Sequence, residues 1–254
     1  MNYREVDEAD PNLVLNVDPT VATTPDTRQE SHYLVNVPRT EVGLRDEIVE
    51  LIEQQDKLYE QKLSALPRIH FDRHLYQPLL IQGSDPDVRV SPPPLNESET
   101  QFVRDLRDFW QGRGSALYRG TELYLLRNQG RGRGVGFFTE GVGFYPDFIL
   151  WMISGNQQRV VFVEPHGMLN AKAYEEDEKA RLHERLPTLA DGIGLRSSVV
   201  RKVSLDCFVV SATKYDELRP KYGNGNWTRK EFETRHILFP DEKGEYIETL
   251  LAEG

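Results

Sequence analysis

The sequence predicts an α/β fold in which helices flank a mixed β-sheet. Four apolar runs are typical of strands, namely ELYLLRN, FYPDFILWM, RVVFVEP and LDCFVVSAT. Helical periodicity precedes the first run and returns between the third and the fourth. The order helix, three strands, helix, strand is that of a layered protein whose helices cover a sheet.

The N-terminal part is predicted to be an extension to this core. Residues 1–40 lack periodicity and are rich in Asp, Thr, Pro and Asn, which predicts an irregular acidic arm. Residues 41–94 are expected to form a helix and an extended linker region, and the helical period runs from Glu41 to Ala65. The run SPPP at 91–94 is a rigid break, so the core domain is expected over 95–254.

The core begins with a helix at LNESETQFVRDLRDFW. Ser98 is its expected N-cap, with Gln101 at the capping-box position, and Glu99 lies at the end of its apolar face. The turn SGNQQ joins the second and third strands. A highly charged helix is then predicted from about Ala171 to Leu186, with helical pairs such as Glu175–Lys179 on its surface.

The net charge of −10 is unevenly distributed. Residues 1–60 hold five Lys/Arg and fourteen Asp/Glu, a net −9, which leaves −1 for the rest of the chain. Residues 101–135 hold seven arginines against three acids, a net +4. A local positive patch is what phosphate contact needs, although a solvated arginine-rich face explains the same charges equally well.

The cellular setting is predicted from what the sequence lacks. Its one cysteine, Cys207, lies in an apolar run, which indicates a small buried side chain in a reducing compartment. The polar start MNYREVDEAD has no signal pattern, and no run is long enough to span a bilayer. A soluble, cytoplasmic protein is therefore expected.

Two carboxylates stand in the apolar strands, Asp147 in the second and Glu164 in the third. A carboxylate is costly to bury unless it is paired or holds a cation, so two on adjacent strands indicate a metal site. The alternative is structural: Asp147 begins a strand in a turn, and Glu164 pairs with an arginine.

Pro-Asp at 146–147 and Glu-x-His at 164–166, in this order of elements, resemble the PD-(D/E)xK nuclease superfamily. The wider stretch, roughly 70–250, is similar to the C-terminal nuclease-like region of some bacterial DEAD/DEAH helicases and type III-like restriction subunits. This resemblance implies a restriction-endonuclease-like core, an αβββαβ mixed sheet flanked by helices, with an N-terminal helical or irregular extension.

The resemblance also implies a catalytic centre. Asp147 and Glu164 would bind Mg²⁺, for which Mn²⁺ can substitute, and the backbone carbonyl of Pro165 could be a third ligand. Glu99 matches the family's helix acid, and it would bind a second metal ion or a metal-bound water. His166 stands where the family has lysine, and it could act as a general base.

The residues expected to contact nucleic acid come from the arginine-rich loop and the start of the charged helix: Arg127, Arg131, Arg133 and Lys172. The GRGRG at 130–134 could contact phosphate beside the active site or could equally be a flexible hairpin tip. Lys172 is also a possible substitute for the missing motif lysine.

These observations predict a metal-dependent nuclease that hydrolyses DNA, in a restriction or antiviral defence setting. The chain lacks a Walker A pattern, so a helicase or ATPase partner would be a separate subunit. The alternative is an inactive nuclease-fold module that binds nucleic acid or docks onto a helicase through the acidic N-terminal region. The sequence leaves DNA or RNA, endo or exo cleavage, sequence preference and oligomeric state open.

Overall fold

The computed structural model describes residues 4–5, 15–16, 34–38, 40–53, 68–69, 79–83, 88–91, 93–128, 135–139, 142–169, 174–187, 202–241 and 244–252. The chain divides into two compact units. The first is Met1–Phe71 with Leu75–Thr100, and the second is Gln101–Gly254 with Asp72–His74. The predicted division at residues 40 and 94 stays a prediction.

The first unit contains two small antiparallel sheets and a helix. A four-stranded sheet has the order β1-β2-β3-β6, and a two-stranded sheet pairs β4 with β5. Helix α1 spans Val42–Glu53. The strands are β1 (Arg4–Glu5), β2 (Leu15–Asn16), β3 (Leu34–Asn36), β4 (Arg68–Ile69), β5 (Leu79–Leu80) and β6 (Arg89–Ser91).

The arm at residues 1–40, expected to be irregular, contributes three of these strands. Val35 and Val37 are both buried, the two-residue alternation of a strand with one inward face. This pattern is too short to be recognised as a strand in a polar sequence. The pairing of β3 with β6 is non-local, so the sequence did not indicate it either. Helix α1 occupies the first half of the helix predicted at 41–65, and residues 54–65 lie outside the described residues.

The second unit is built on a five-stranded mixed sheet with the order β13-β12-β11-β10-β7. Strand β10 is antiparallel to β7 and β11, whereas β12 is parallel to β11 and to β13. A hairpin of β8 and β9 precedes β10. The strands are β7 (Thr121–Arg127), β8 (Phe137–Thr139), β9 (Val142–Phe144), β10 (Phe148–Ser154), β11 (Gln157–His166), β12 (Lys202–Ser211) and β13 (Ile237–Leu238).

The predicted strands ELYLLRN, FYPDFILWM, RVVFVEP and LDCFVVSAT are confirmed as β7, β10, β11 and β12. The SGNQQ turn is confirmed as well, since Ser154 pairs with Gln157 across a two-residue loop. Gly155 in that loop has a φ of 54°, a conformation that glycine adopts without a steric penalty.

Helices of the second unit flank this sheet. Helix α2 (Glu97–Phe109), which belongs to the second unit from Gln101 onward, continues through a π-helical turn, Trp110–Gly114, into α3 (Ser115–Leu117). Phe102 of α2 contacts Phe148 of β10, with ring centroids 5.2 Å apart. The remaining helices are α4 (Tyr215–Leu218), α5 (Arg229–Glu233) and α6 (Glu245–Leu251). None of the described helices is long and apolar enough to cross a membrane.

The continuous helix expected over 171–186 is wrong for the described residues 174–184. Two separate 3₁₀ turns, Tyr174–Glu176 and Leu182–Glu184, take its place. The side chain of Asp177 accepts hydrogen bonds from the backbone N–H groups of Lys179 and Ala180, at 3.1 and 3.2 Å. Such side-chain bonds offer the backbone an alternative to the helical ladder.

Candidate active site

The hairpin of β10 and β11 places the two predicted acids, Asp147 and Glu164, at neighbouring backbone positions. Phe148 pairs with Val163, so the next position in the same register aligns Asp147 with Glu164. Partners in an antiparallel pair point to the same face of the sheet. The backbone N–H of Asp147 donates a hydrogen bond to Oε2 of Glu164 at 3.2 Å, which closes this end of the hairpin.

Glu164 is a buried carboxylate with a cation beside it. Its exposed fraction is 6%, and its Oε1 lies 3.3 Å from Nζ of Lys179. Burial raises the pKa of Glu164 above its ordinary value, while the positive charge of Lys179 opposes this rise. Burial therefore disfavours the charged form of Glu164, and a cation bound beside it would favour that form.

Lys179 lies in the turn between the two 3₁₀ segments and reaches this carboxylate from outside the strand pair. Its ammonium also lies 5.2 Å from the ring centre of Phe144, a cation–π distance. Sequence reasoning placed Lys179 in a helical pair with Glu175, because it assumed a continuous helix. In the structure Lys179 lies in a turn, and its ammonium contacts Glu164 instead.

His166 stands at the exposed end of β11. It is two residues after Glu164, so strand alternation places it on the same face of the sheet. Its charge is close enough to lower the pKa of Glu164, after the larger effects of burial and of Lys179. Its backbone carbonyl accepts a hydrogen bond from Ala212 at 2.9 Å, which fixes the strand end.

Asn128, which sequence reasoning passed over, positions the segment that carries Asp147. It is buried, and its side-chain amide donates to the carbonyls of Val135 and Pro146, each at 2.8 Å. Its backbone N–H donates to the carbonyl of Asp147 at 2.7 Å. The available signal was an asparagine at the end of the apolar run ELYLLRN, because an amide that becomes buried there must find partners.

Asp147 and Glu164 supply two carboxylates, a number that suits a hard divalent cation such as Mg²⁺. Mg²⁺ is usually held by one or two carboxylates and keeps several waters. Pro165 is buried in β11 opposite Val210, and the use of its carbonyl as a ligand stays a prediction. Within the described ranges, no group of three or more His, Cys, Asp or Glu side chains is arranged to hold a metal ion.

Glu99, the predicted auxiliary acid, lies in the first unit and has a capping role there. Its Oε2 accepts a hydrogen bond from the backbone N–H of Asn96 at 3.0 Å, and Oδ1 of Asn96 accepts from the N–H of Glu99 at 2.9 Å. This reciprocal pair is a capping box. The N-cap is therefore Asn96, and the prediction of Ser98 with Gln101 was wrong by two positions.

The cap predicts a distinct pair of stability changes at the start of α2. Asn96→Ala should lower the free energy of unfolding by about 1 kcal/mol, because it removes the N-cap acceptor. Glu99→Gln should leave stability nearly unchanged, because the amide oxygen can still accept from Asn96. Urea denaturation of both variants measures this, and an equal loss of stability in the two variants would contradict it.

Of the residues predicted to contact nucleic acid, only Arg127 lies within the described residues. It ends β7 and pairs with Phe148, so alternation places it on the opposite face from Asp147 and Glu164. Arg131, Arg133 and Lys172 lie outside the described residues.

The comparisons with known proteins add no family to this geometry. No protein-family model matches the chain, and neither the curated proteins nor the solved structures yield a significant match.

Proposed function

We propose that this protein is a metal-dependent nuclease that hydrolyses phosphodiester bonds in DNA, with Asp147, Glu164 and Lys179 at its centre. One observation carries the proposal: at the end of the β10–β11 hairpin, in register with Asp147, the carboxylate of Glu164 is buried, and a lysine ammonium lies 3.3 Å from it. Buried acids with perturbed pKa values beside a cation are enriched at functional sites.

The architecture of the second unit supports the same proposal. Helix α2 precedes the sheet, β10 and β11 are antiparallel, and a crossover leads to β12, which is parallel to β11. This agrees with the αβββαβ order of a restriction-endonuclease-like core, although two 3₁₀ turns occupy the described residues 174–184 of the crossover. That core is the finer description of the fold that we propose.

The chemistry follows from the charges. Asp147 and Glu164 would hold Mg²⁺, which when bound polarises the phosphate and acidifies a water. Glu164 would exchange its contact with Lys179 for the metal, and the freed ammonium would donate hydrogen bonds to the negatively charged phosphate. His166, exposed on the same face, is the remaining group that could accept a proton from the attacking water.

Lys179 therefore takes the electrostatic role that the sequence had assigned to position 166. Lys179→Ala is expected to slow cleavage by about 10²–10³-fold, the order lost when one charge-stabilising donor is removed. His166→Ala is expected to slow cleavage less and to alter its pH dependence, because it removes a side chain that could accept the proton of the attacking water.

This prediction is measured with supercoiled and linear DNA in Mg²⁺ or Mn²⁺, using rates over a range of pH. The matched control is Lys230→Ala, which removes an exposed lysine that is also paired with a glutamate, at 2.9 Å. Equal cleavage rates for the wild type and Lys179→Ala would show that Lys179 has no role in cleavage.

A specific observation also favours the second candidate, a nuclease-fold module without activity. Both oxygens of Glu164 have partners in the protein itself, Lys179 and the N–H of Asp147. A structural ion pair has this appearance too. Metal-independent DNA binding, or a stable complex with a helicase subunit without cleavage, would identify this candidate.

A further inference from the structure

A cavity lies in the second unit, at the opposite ends of the strands that carry the candidate active site. It has a volume of about 490 Å³, within the range of small-molecule sites, roughly 300–1,000 Å³. Arg159 and Lys202, from the beginnings of β11 and β12, line it. Arg159 is five residues before Glu164, or roughly 16 Å along a strand. The cavity is thus separate from the proposed nuclease centre.

Three flat rings form a column at this cavity. The ring centroids of Phe208 and His236 are 4.4 Å apart, those of His236 and His183 are 4.2 Å apart, and each interplanar angle is 13°. Both histidines line the cavity. A column of near-parallel rings beside an open volume is a surface on which another planar ring can stack.

The imidazoles are held in defined orientations. Nδ1 of His236 lies 2.8 Å from Oδ1 of Asp206, and Nδ1 of His183 lies 3.0 Å from the carbonyl of Ala180. Each ring therefore keeps Nε2 as its remaining hydrogen-bonding atom. Burial, and then the charge of His236, lower the pKa of His183, which favours a neutral ring near neutral pH.

The rest of the lining is polar. Lys202 is exposed and brings a positive charge, whereas the charge of Arg159 is balanced by Asp206 at 2.7 Å. Hydroxyl and amide groups that can donate or accept hydrogen bonds complete the wall: Thr121, Ser154, Gln157, Gln158 and Ser204. A stacking surface, many hydrogen-bonding groups and a cation are together complementary to a planar heterocycle joined to a sugar and an anion.

We propose that this cavity binds a nucleoside monophosphate, with the base stacked on the imidazole column and the phosphate at Lys202. The site is independent of the proposed nuclease activity. It requires no metal, and its ligand could be a free nucleotide or the terminal nucleotide of a strand.

The test is calorimetric titration of the full-length protein in EDTA with AMP, adenosine, inorganic phosphate and a short single-stranded oligonucleotide. AMP is expected to bind more tightly than either adenosine or phosphate, because its base contacts the imidazole column and its phosphate contacts Lys202. His183→Ala should weaken AMP at least 10-fold, and His183→Phe, which keeps a flat ring, should weaken it much less. Lys202→Gln should weaken AMP and leave adenosine unchanged.

The matched control is Lys230→Gln, an exposed lysine of α5, which should leave all four affinities unchanged. Oligonucleotide affinity above that of AMP would identify a strand end as the ligand. The proposal is overturned if AMP does not bind, if phosphate binds as well as AMP, or if His183→Phe loses as much affinity as His183→Ala. Circular dichroism checks the fold, and Lys202→Gln provides the test if the His183 variants do not fold.

Discussion

Glu164→Gln is expected to reduce metal-dependent DNA cleavage at least about 100-fold without loss of folding stability near neutral pH. Glutamine has nearly the shape of glutamate and can still accept the N–H of Asp147, but it has no charge to bind a cation. The size of the loss is that expected when one charged group of a preorganised site is removed. Combined loss of activity and retained stability distinguishes a functional carboxylate from a structural one.

The pH dependence of stability gives this prediction a second readout. Because burial raises the pKa of Glu164, the folded protein binds its proton more tightly than the unfolded chain does. The stabilising contribution is fully present below the ordinary value of 4.5 and is lost as the pH rises through the folded pKa. Glutamine does not titrate, so the variant should gain stability relative to the wild type across that window.

The measurements are cleavage rates in Mg²⁺ and urea denaturation at several pH values from about 3 to 8. Glu184→Gln is the control, because Glu184 lies in the same segment as Lys179 and pairs with Arg181 at 2.8 Å, but is exposed. Full cleavage by Glu164→Gln would exclude Glu164 as a metal ligand. A stability that falls rather than rises relative to the wild type would show that the ion pair with Lys179 outweighs the cost of burial.

The strands of the central sheet could be predicted because continuous apolar runs in the sequence indicate buried strands. Strand β11 is buried at six consecutive positions from Val160 to Pro165, so the position of Glu164 within it was informative. The same reasoning predicted that Asp147 and Glu164 would lie on adjacent strands. Local patterns thus placed both acids before any contact was known.

The contacts of those acids could not be predicted, because they depend on where the chain returns in space. Lys179 is 15 positions from Glu164, and it reaches the carboxylate from a turn in which Asp177 bonds the backbone in place of the expected helix. The cap of α2 shows the same limit at short range: Asn96 and Ser98 are both good N-cap residues, and the sequence alone did not decide between them. His183 and His236, 53 positions apart, stack only because the fold brings them to one cavity.

Arg159→Met is expected to lower the free energy of unfolding by about 3 kcal/mol, the order found when one partner of a buried ion pair is removed. The guanidinium donates to Oδ2 of Asp206 at 2.7 Å and to the carbonyl of Leu250 at 3.0 Å. The two charged side chains are only 10% and 16% exposed. Methionine fills most of the volume but leaves the Asp206 carboxylate with fewer partners.

Asp206 makes the loss dependent on pH. Burial alone would raise the pKa of Asp206, but hydrogen bonds and charges from His236 and Arg159 outweigh burial and lower it. A lowered pKa in the folded state gives stability that is present above the ordinary value of 3.8 and is lost as the pH falls through the folded pKa. Without Arg159 this contribution shrinks, so the variant and the wild type should converge in stability under acidic conditions.

A matched comparison isolates burial as the cause. Arg181 pairs with Glu184 at 2.8 Å, almost the same distance, but those side chains are 41% and 40% exposed. Arg181→Met should therefore change stability little, because solvent screens an exposed pair and competes for it. The double variant Arg159→Met with Asp206→Asn should lose less than the two single variants together, since neither charge is then left without its partner. Equal losses at Arg159 and Arg181 would contradict the prediction and would mean that the Arg159–Asp206 pair is solvated despite its burial.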